Sequence, residues 1–246
     1  MISADQALIT IWNRTSAAYA SNAPVYITYD EYTHATATIG QQRDVNRHVA
    51  VRQADNFAVM RDLPDGGERS GQAFPFIPYF DPLSNFSYSW RAPNAKILII
   101  DLARPAPGYI SMPAPDPNAT MSLPYFTTLV PTYLPDTTQD KIHLRVELAP
   151  NLGDGLHLYD IVADAHTGIP SHVELRSKTD TMAFDYQIIE GHWVVTHASY
   201  TTPIHFGPFS YTVSANTDYK NIAFPAAAPD PRLAGTPGPI ETPSGQ

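Results

Sequence analysis

The chain has 246 residues, of which 43% are hydrophobic and 16% charged, so it is long and apolar enough to fold around a sizeable core. The net charge of −9 disfavours nucleic acid as a partner, since no excess of Lys and Arg is available to neutralise phosphates. The absence of cysteine excludes disulfides, thiolate metal sites and a cysteine nucleophile. No apolar run is long enough to span a bilayer, and the N-terminal residues lack the basic and apolar regions of a signal peptide. We therefore expect a chain that neither spans a membrane nor carries a signal peptide.

The segment SADQALITIWNRTSAAY, residues 3–19, predicts the one clear helix of the chain. Ser3 and Gln6 fit a capping box, in which two side chains satisfy free amides of the first turn. Pro24 disfavours helical backbone at Ala23 and so marks the end of the segment. Helical spacing places one set of side chains on the same side of this helix, namely Leu8, Ile11, Trp12, Thr15 and Tyr19.

After the helix the apolar period changes to two, which is typical of strands. Residues 25–38, 45–51 and 57–62 predict three antiparallel strands joined by short turns. Within the first two strands the alternation groups two sets of side chains, each on one face: Val25, Ile27 and Tyr29 in the first, and Val45, Val49 and Val51 in the second.

The middle of the chain has no sustained period. Residues 63–95 combine Pro and Gly with many aromatic side chains, so we expect a long loop packed over an apolar surface. Residues 96–102 predict a buried strand. The Pro-rich stretch 103–138 leaves room for one short helix between Pro124 and Pro131.

The second half predicts a meander of antiparallel strands over residues 141–224. Its first strand, KIHLRVEL at 141–148, alternates strictly between apolar and polar residues. If the following hairpin is symmetric about its turn, Glu147 faces His157 and Val146 faces Leu158.

A tight corner, DAHTGIP, interrupts this meander at residues 164–170. Asp164 can accept hydrogen bonds from nearby backbone amides, and Gly168 can adopt a positive φ, which we predict that it does. Pro170 can begin the next strand without donating a hydrogen bond.

Asp160 interrupts the apolar alternation of the strand before this corner. If its side chain points inward, it is a buried carboxylate and a candidate functional group. The alternative, which we favour, is a bulge or twist that lets the side chain reach the edge of the sheet.

From Pro225 the sequence consists mainly of Pro, Ala and Gly, which predicts a disordered tail. We therefore divide the chain into a single β domain at 1–224 and a tail at 225–246. Deleting the tail should then leave the stability of the domain nearly unchanged.

The meander resembles the outer-membrane lipoprotein-carrier (LolA/LolB-like) superfamily of periplasmic lipid-binding proteins, most closely over residues 155–224. The likeness lies in the Asp-x-x-Thr-Gly-x-Pro corner, an aromatic strand, a Glu-Gly-x-Trp turn and a last strand that ends in Asn and Phe. The residues that carry it are Asp164, Thr167, Gly168, Pro170, Phe184, Tyr186, Glu190, Gly191, Trp193, Asn221 and Phe224.

This resemblance implies a mainly β fold, in which a strongly curved, incompletely closed antiparallel sheet, a half-barrel, carries an N-terminal helix and a loop or short-helix cover on its concave face. It also implies an extracytoplasmic protein, periplasmic or secreted, with an apolar cavity for a hydrophobic small molecule or a lipid or lipoprotein acyl chain.

Alternation alone selects the side chains that would line such a cavity, with Trp12 and the aromatic residues at 74–90 as its cover. The candidate ligand-binding residues are Ile142, Leu144, Val146, Leu158, Phe184, Tyr186 and Trp12. The same pattern also fits a plain core in which these side chains fill the space between sheet and helix.

No nucleophile elbow, phosphate-binding loop or His-Glu-x-x-His motif occurs, and the nine histidines are scattered along the chain. We therefore predict no catalytic residues, no metal site and no cofactor. The prediction is a non-enzymatic carrier or sensor of a hydrophobic ligand. The alternative is a protein interaction or scaffold module with a filled core and an exposed apolar patch.

Overall fold

The computed structural model describes residues 2–22, 24–40, 42–52, 57–64, 66, 68–72, 129–148, 157–206 and 208–235. These residues form one α-helix, eleven β-strands and one turn of 3₁₀ helix. The helix α1 is Ala4–Asn22, and the short 3₁₀ turn is Pro231–Leu233. The strands are β1 Tyr26–Ala37, β2 Gln42–Arg52, β3 Phe57–Asp62, β4 Glu68–Gln72, β5 Leu129–Tyr133, β6 Lys141–Leu148, β7 His157–Asp164, β8 Pro170–Arg176, β9 Thr181–Ile189, β10 His192–Phe206 and β11 Phe209–Ala223.

All eleven strands belong to one antiparallel sheet with the order β4-β3-β2-β1-β11-β10-β9-β8-β7-β6-β5. The last strand pairs with the first, so β11 and β1 join the two halves of the chain at the centre of the sheet. β4 and β5 lie at opposite edges and do not pair, so the sheet is not closed into a barrel. The predicted run of consecutive antiparallel strands over 141–224 and the predicted N-terminal helix are therefore both confirmed.

One face of the sheet, here called the concave face, holds the main core together with α1. Buried side chains from α1, β1, β2, β3 and β6–β11 pack in a single apolar cluster. Strands that are far apart in the sheet order therefore meet around one helix, which requires a strongly curved sheet. Bulges in β7 and β10, at Tyr159 and Thr196, add local twist of the kind that bends a sheet.

The strand alternation predicted for the first half is largely confirmed. Ile27 and Tyr29 in β1 and Val49 and Val51 in β2 are fully buried on the concave face. Val25 was predicted to share this face, but it precedes β1 and is exposed. Here the bend before the strand, and not the alternation, decides the direction of the side chain.

The Pro- and aromatic-rich middle of the chain contributes two edge strands that the sequence did not reveal. β4 forms within the predicted loop 63–95, and β5 begins at Leu129, inside the stretch for which a short helix was predicted. Pro131 is tolerated in β5 because an edge strand does not need every N–H of its backbone. The aromatic residues at 74–90 and the predicted strand 96–102 lie outside the described residues.

The hairpin β6–β7 is offset by one residue from the symmetric prediction. Leu144 faces Ile161 and Arg145 faces Asp160, whereas the symmetric register would have placed Leu144 opposite Asp160. The bulge at Tyr159 inserts one extra residue into β7, which accounts for a shift of one residue in the register. The described pairing of β6 with β7 ends at Arg145 and Asp160, so it does not include the predicted pairs Glu147–His157 and Val146–Leu158.

The tail predicted from residue 225 begins with a packed segment. Leu233 is fully buried against Ala50 and Val59, on the face of β2 and β3 opposite to the main core. Arg52 donates a hydrogen bond from Nη1 to the Leu233 carbonyl oxygen at 2.8 Å. The buried Leu233 side chain and the hydrogen bond from Arg52 attach this segment to the sheet, whereas 236–246 lie outside the described residues.

No helix in the described part of the chain combines the length and the apolar character needed to cross a bilayer.

Candidate functional site

The structure brings all of the predicted ligand-binding residues to the concave face. Six of them belong to the buried apolar cluster, and the seventh, Ile142, is partly buried and packs against it. The six are Leu144, Val146, Leu158, Phe184, Tyr186 and Trp12. They therefore share one surface with α1, and six of them are almost completely buried there.

Helix α1 contacts β5, β6 and β10 and is held at its start and near its middle by hydrogen bonds. At its start, the Gln6 amide donates to Ser3 Oγ at 3.2 Å, which is the Ser3 half of the predicted capping box. Tyr133 of β5 donates its hydroxyl to the Ile2 carbonyl oxygen at 3.1 Å. Further along, Arg14 donates to the His166 carbonyl oxygen in the predicted corner. The helix is therefore fixed to the sheet by polar contacts around its apolar side.

Aromatic packing connects β9 and β10 on the concave face. The Tyr186 and Trp193 rings stack with centroids 4.3 Å apart and an angle of 20° between their planes. Trp193 also donates its indole N–H to the Pro170 carbonyl oxygen at 2.7 Å. Because the polar atom of this large side chain is satisfied inside the protein, Trp193 is a core anchor that ties β10 to the start of β8.

A polar cluster lies on the concave face of β1, β2 and β11, where the sequence predicted only apolar side chains. Glu31 of β1 faces Arg47 of β2, and both are almost completely buried, at 2% and 1% exposed. Arg47 Nη2 lies 3.1 Å from Glu31 Oε1. Thr33 donates its hydroxyl to the same oxygen at 3.1 Å and lies 2.8 Å from the Thr217 hydroxyl of β11. A charged pair and two hydroxyls thus form a connected group inside an otherwise apolar surface.

Burial dominates the electrostatics of this cluster. Desolvation raises the pKa of Glu31, although the neighbouring Arg47 and the Thr33 hydrogen bond oppose that rise. Desolvation also raises the pKa of the Tyr29 hydroxyl well above its ordinary value, and the nearby Glu31 carboxylate adds to this effect. The Tyr29 ring packs edge-on against Tyr219 with centroids 5.5 Å apart, so two aromatic rings border the charged pair.

Sequence reasoning missed this cluster, although a signal for it was present. Glu31 has the parity of Ile27 and Tyr29 in β1, and Arg47 has the parity of Val45 and Val49 in β2. Two oppositely charged residues at inward positions of neighbouring strands predict a buried pair once the strands are known to be adjacent.

Asp160 is buried, but on the opposite face of the sheet from the main core. A bulge between Leu158 and Asp160 turns the carboxylate to the side of His143 and Arg145. His143 Nε2 lies 2.9 Å from one Asp160 oxygen, and Arg145 Nη2 lies 3.2 Å from the other. The favoured explanation, a bulge, is therefore right. However, the side chain reaches a charged network on an inner strand and not the edge of the sheet.

Histidine–aspartate pairs recur on this outer face. His172 lies 2.6 Å from Asp185, and His197 lies 2.8 Å from Asp218, each pair formed across neighbouring strands. His197 is also opposite Asp185 in the sheet register, so the four side chains form a row from β8 to β11. Such solvent-facing pairs contribute about 0–1 kcal/mol each. No group of three or more His, Asp or Glu side chains in the described ranges is arranged to hold a metal ion.

Comparison with known proteins reveals similarity at the level of fold. No protein-family model and no curated protein matches the chain. A LolA superfamily protein from Nitrosomonas europaea is similar at 11% identity and a TM-score of 0.40, over 92% of this chain and 96% of the other. A DUF1329 family protein from Desulfovibrio piger is similar at 9% identity and a TM-score of 0.39, over 87% and 92%. A protein domain from Vibrio parahaemolyticus named for outer membrane lipoprotein sorting is similar at 8% identity and a TM-score of 0.43, over 94% and 97%.

The resemblance seen in the sequence is to the same superfamily as the Nitrosomonas europaea protein. At these identities the likeness concerns the fold alone.

Proposed function

We propose that this protein is a non-enzymatic carrier or sensor of a hydrophobic, lipid-like ligand, which binds between the concave face and its cover outside the cytoplasm. The observation that carries the proposal is the difference in width between the sheet and the one helix described over it. Eleven strands spaced about 4.8 Å apart span an arc of about 48 Å, whereas a helix with its side chains is about 10–12 Å wide.

Helix α1 is therefore about a quarter as wide as that arc, and it contacts β5, β6 and β10, of which β10 is far from the other two in the sheet order. The apolar face continues beyond it, through Tyr29 of β1 to Val49, Val51 and Ala58 of β2 and β3. These four side chains are fully buried in the chain without a ligand, so the proposed ligand would lie between the concave face and a cover that the chain itself supplies. The aromatic residues at 74–90, predicted from the sequence to pack over an apolar surface, remain the candidate for such a cover.

A ligand in such a place would gain affinity from burial alone. Each methylene group transferred from water contributes about 0.8 kcal/mol, so an acyl chain needs no charged contact to bind. The candidate ligand-binding residues from Ile142 to Tyr186, with Trp12 of the helix, supply the apolar wall. The proposed location rests on the sequence resemblance to periplasmic carriers.

A titration with the uncharged fluorescent probe N-phenyl-1-naphthylamine tests the proposal. The wild-type protein should bind the probe saturably, and a long-chain alcohol should displace it. Val146→Phe adds volume at a fully buried position of the concave face. It should weaken probe binding and leave the melting temperature nearly unchanged if the side chain borders ligand space. The matched control is Val130→Phe on the neighbouring strand β5, where the side chain is 45% exposed, and it should change neither quantity.

The opposite result has a clear physical signature. In a filled core, Val146→Phe would lower the free energy of unfolding by about 1–3 kcal/mol through overpacking. That loss, combined with an absence of saturable probe binding by the wild type, would overturn the carrier proposal and favour an interaction or scaffold module.

A further inference from the structure

The two oxygens of the Glu31 carboxylate differ in their hydrogen bonding. Both hydrogen bonds to the side chain, from Arg47 and Thr33, reach Oε1. Oε2 is completely buried and has no hydrogen-bond donor. A buried acceptor without a donor lacks the hydrogen bonds it would make in water, and this loss is largest for a charged group.

This oxygen belongs to a side chain on the same face of the sheet as the proposed ligand space. Glu31 shares the inward parity of Tyr29, which belongs to the same apolar cluster as Trp12 and the candidate ligand-binding residues. The polar cluster therefore lies on the same concave face as the apolar wall, on strands β1, β2 and β11.

We propose that Glu31 Oε2 is the polar subsite of the ligand cavity, where it accepts a hydrogen bond from an uncharged donor at the polar end of an apolar ligand. This inference rests on the proposed carrier function and specifies the chemical class of its ligand. The ligand is an amphiphile that ends in an alcohol or an amide N–H.

The charges at the site favour an uncharged donor over an ion. Arg47 at 3.1 Å already balances the Glu31 charge, so a ligand ammonium group would leave a net positive charge in a buried place. A ligand carboxylate would bring a second negative charge against Oε2. A hydroxyl or an amide adds no charge and supplies the one donor that the carboxylate lacks.

The subsite predicts discrimination between ligands that differ only in their ability to donate. Two matched pairs serve as probes: dodecan-1-ol against dodecyl methyl ether, and dodecanamide against N,N-dimethyldodecanamide. Their affinities are measured by displacement of N-phenyl-1-naphthylamine. The wild type should bind the donating member of each pair about tenfold more tightly or better, since hydrogen bonds to charged groups are worth at least that factor.

Glu31→Gln is the direct test. The glutamine can keep an oxygen toward Arg47 and Thr33 while it replaces Oε2 with an NH₂ group, which is a donor. The preference for the donating ligands should fall to about onefold. The matched control is Thr217→Val, which removes the hydroxyl contact with Thr33 but leaves the Glu31 carboxylate in place. This variant should keep the wild-type preference.

Each outcome decides between the two proposals. If the wild type binds both members of each pair equally, the subsite is overturned and the carrier function stands. If Glu31→Gln folds and still prefers the donating ligands, another group accepts the hydrogen bond from the ligand, and the subsite is again overturned. If the wild type binds none of the four ligands, the carrier function falls and the subsite falls with it. Melting curves of all three proteins identify a variant that has failed to fold, and the wild-type ratio then remains the deciding measurement.

Discussion

Gly168 makes the corner between β7 and β8 possible, and its replacement by alanine gives the sharpest test of the fold. Its φ is +69°, and its amide donates to the Asp164 carbonyl oxygen at 2.8 Å. A Cβ at this position would lie 2.7 Å from Cδ of Arg14, on the helix above. Two separate costs therefore arise from a single methyl group.

The magnitudes of the two costs can be worked out separately. A left-handed conformation costs a residue with a Cβ about 1–2 kcal/mol. Moving the Arg14 side chain away from the methyl group would break its hydrogen bond to the His166 carbonyl oxygen, a further loss of about 1 kcal/mol. The expected decrease in the free energy of unfolding is therefore about 2–3 kcal/mol.

Gly40→Ala is the matched control, since Gly40 has a φ of +86° and a Cβ there would meet no atom within 4 Å. It should show only the backbone cost, about 1–2 kcal/mol. In a background with Arg14→Ala, Gly168→Ala should cost no more than Gly40→Ala. Urea denaturation followed by tryptophan fluorescence measures all of these values, provided that the slope m stays constant. A Gly168→Ala protein as stable as the wild type would contradict the backbone cost. A cost that is unchanged in the Arg14→Ala background would contradict the steric contribution of Arg14.

Three further predictions follow from other parts of the structure. Leu233→Ala should lower the free energy of unfolding by about 2–5 kcal/mol, because the side chain is fully buried on the sheet. Val25→Ala, at an exposed position, should change it by less than about 0.5 kcal/mol. Equal urea midpoints for the two variants would show that the segment 225–235 does not pack on the sheet. Arg47→Met should lower the free energy of unfolding by about 3–5 kcal/mol, since it leaves the buried Glu31 carboxylate without its counter-charge. The double variant Glu31→Leu with Arg47→Met should recover most of this loss in thermal melts. A single variant that is almost as stable as the wild type would contradict the buried pair. Hydrogen bonds from the Thr167 amide and hydroxyl, and from the His166 amide, lower the pKa of Asp164. This carboxylate therefore stabilises the fold above the ordinary aspartate pKa of about 3.9 and loses that contribution as the pH falls through the lowered value. Asp164→Asn should flatten the acid limb of a stability–pH curve, and an unchanged limb would rule out the contribution.

Part of the candidate site could be predicted from the sequence and part could not. Alternation placed Leu144, Val146 and Phe184 on one face, and the structure packs them together under Trp12. The partnership of Glu31 with Arg47 could not be predicted from either strand alone, since each strand shows only one charged residue at an inward position and not its partner. It arises only because β1 and β2 pair in the register that sets these two residues opposite each other.

Elements that are marked by a local sequence pattern could be predicted from the amino-acid sequence. The period of the apolar residues defined α1 and the strands of the second half, and the Asp-x-x-Thr-Gly-x-Pro spacing defined the corner with its positive φ at Gly168. Tertiary structure alone decided the pairing of β1 with β11, the offset of β6 against β7, the edge strand β5 and the docking of Leu233. A side chain's periodicity depends on its own backbone, whereas register and docking depend on which distant surface is buried against it. Register and docking are therefore set by the free energy of the whole packed chain, and no short segment of the sequence predicts them.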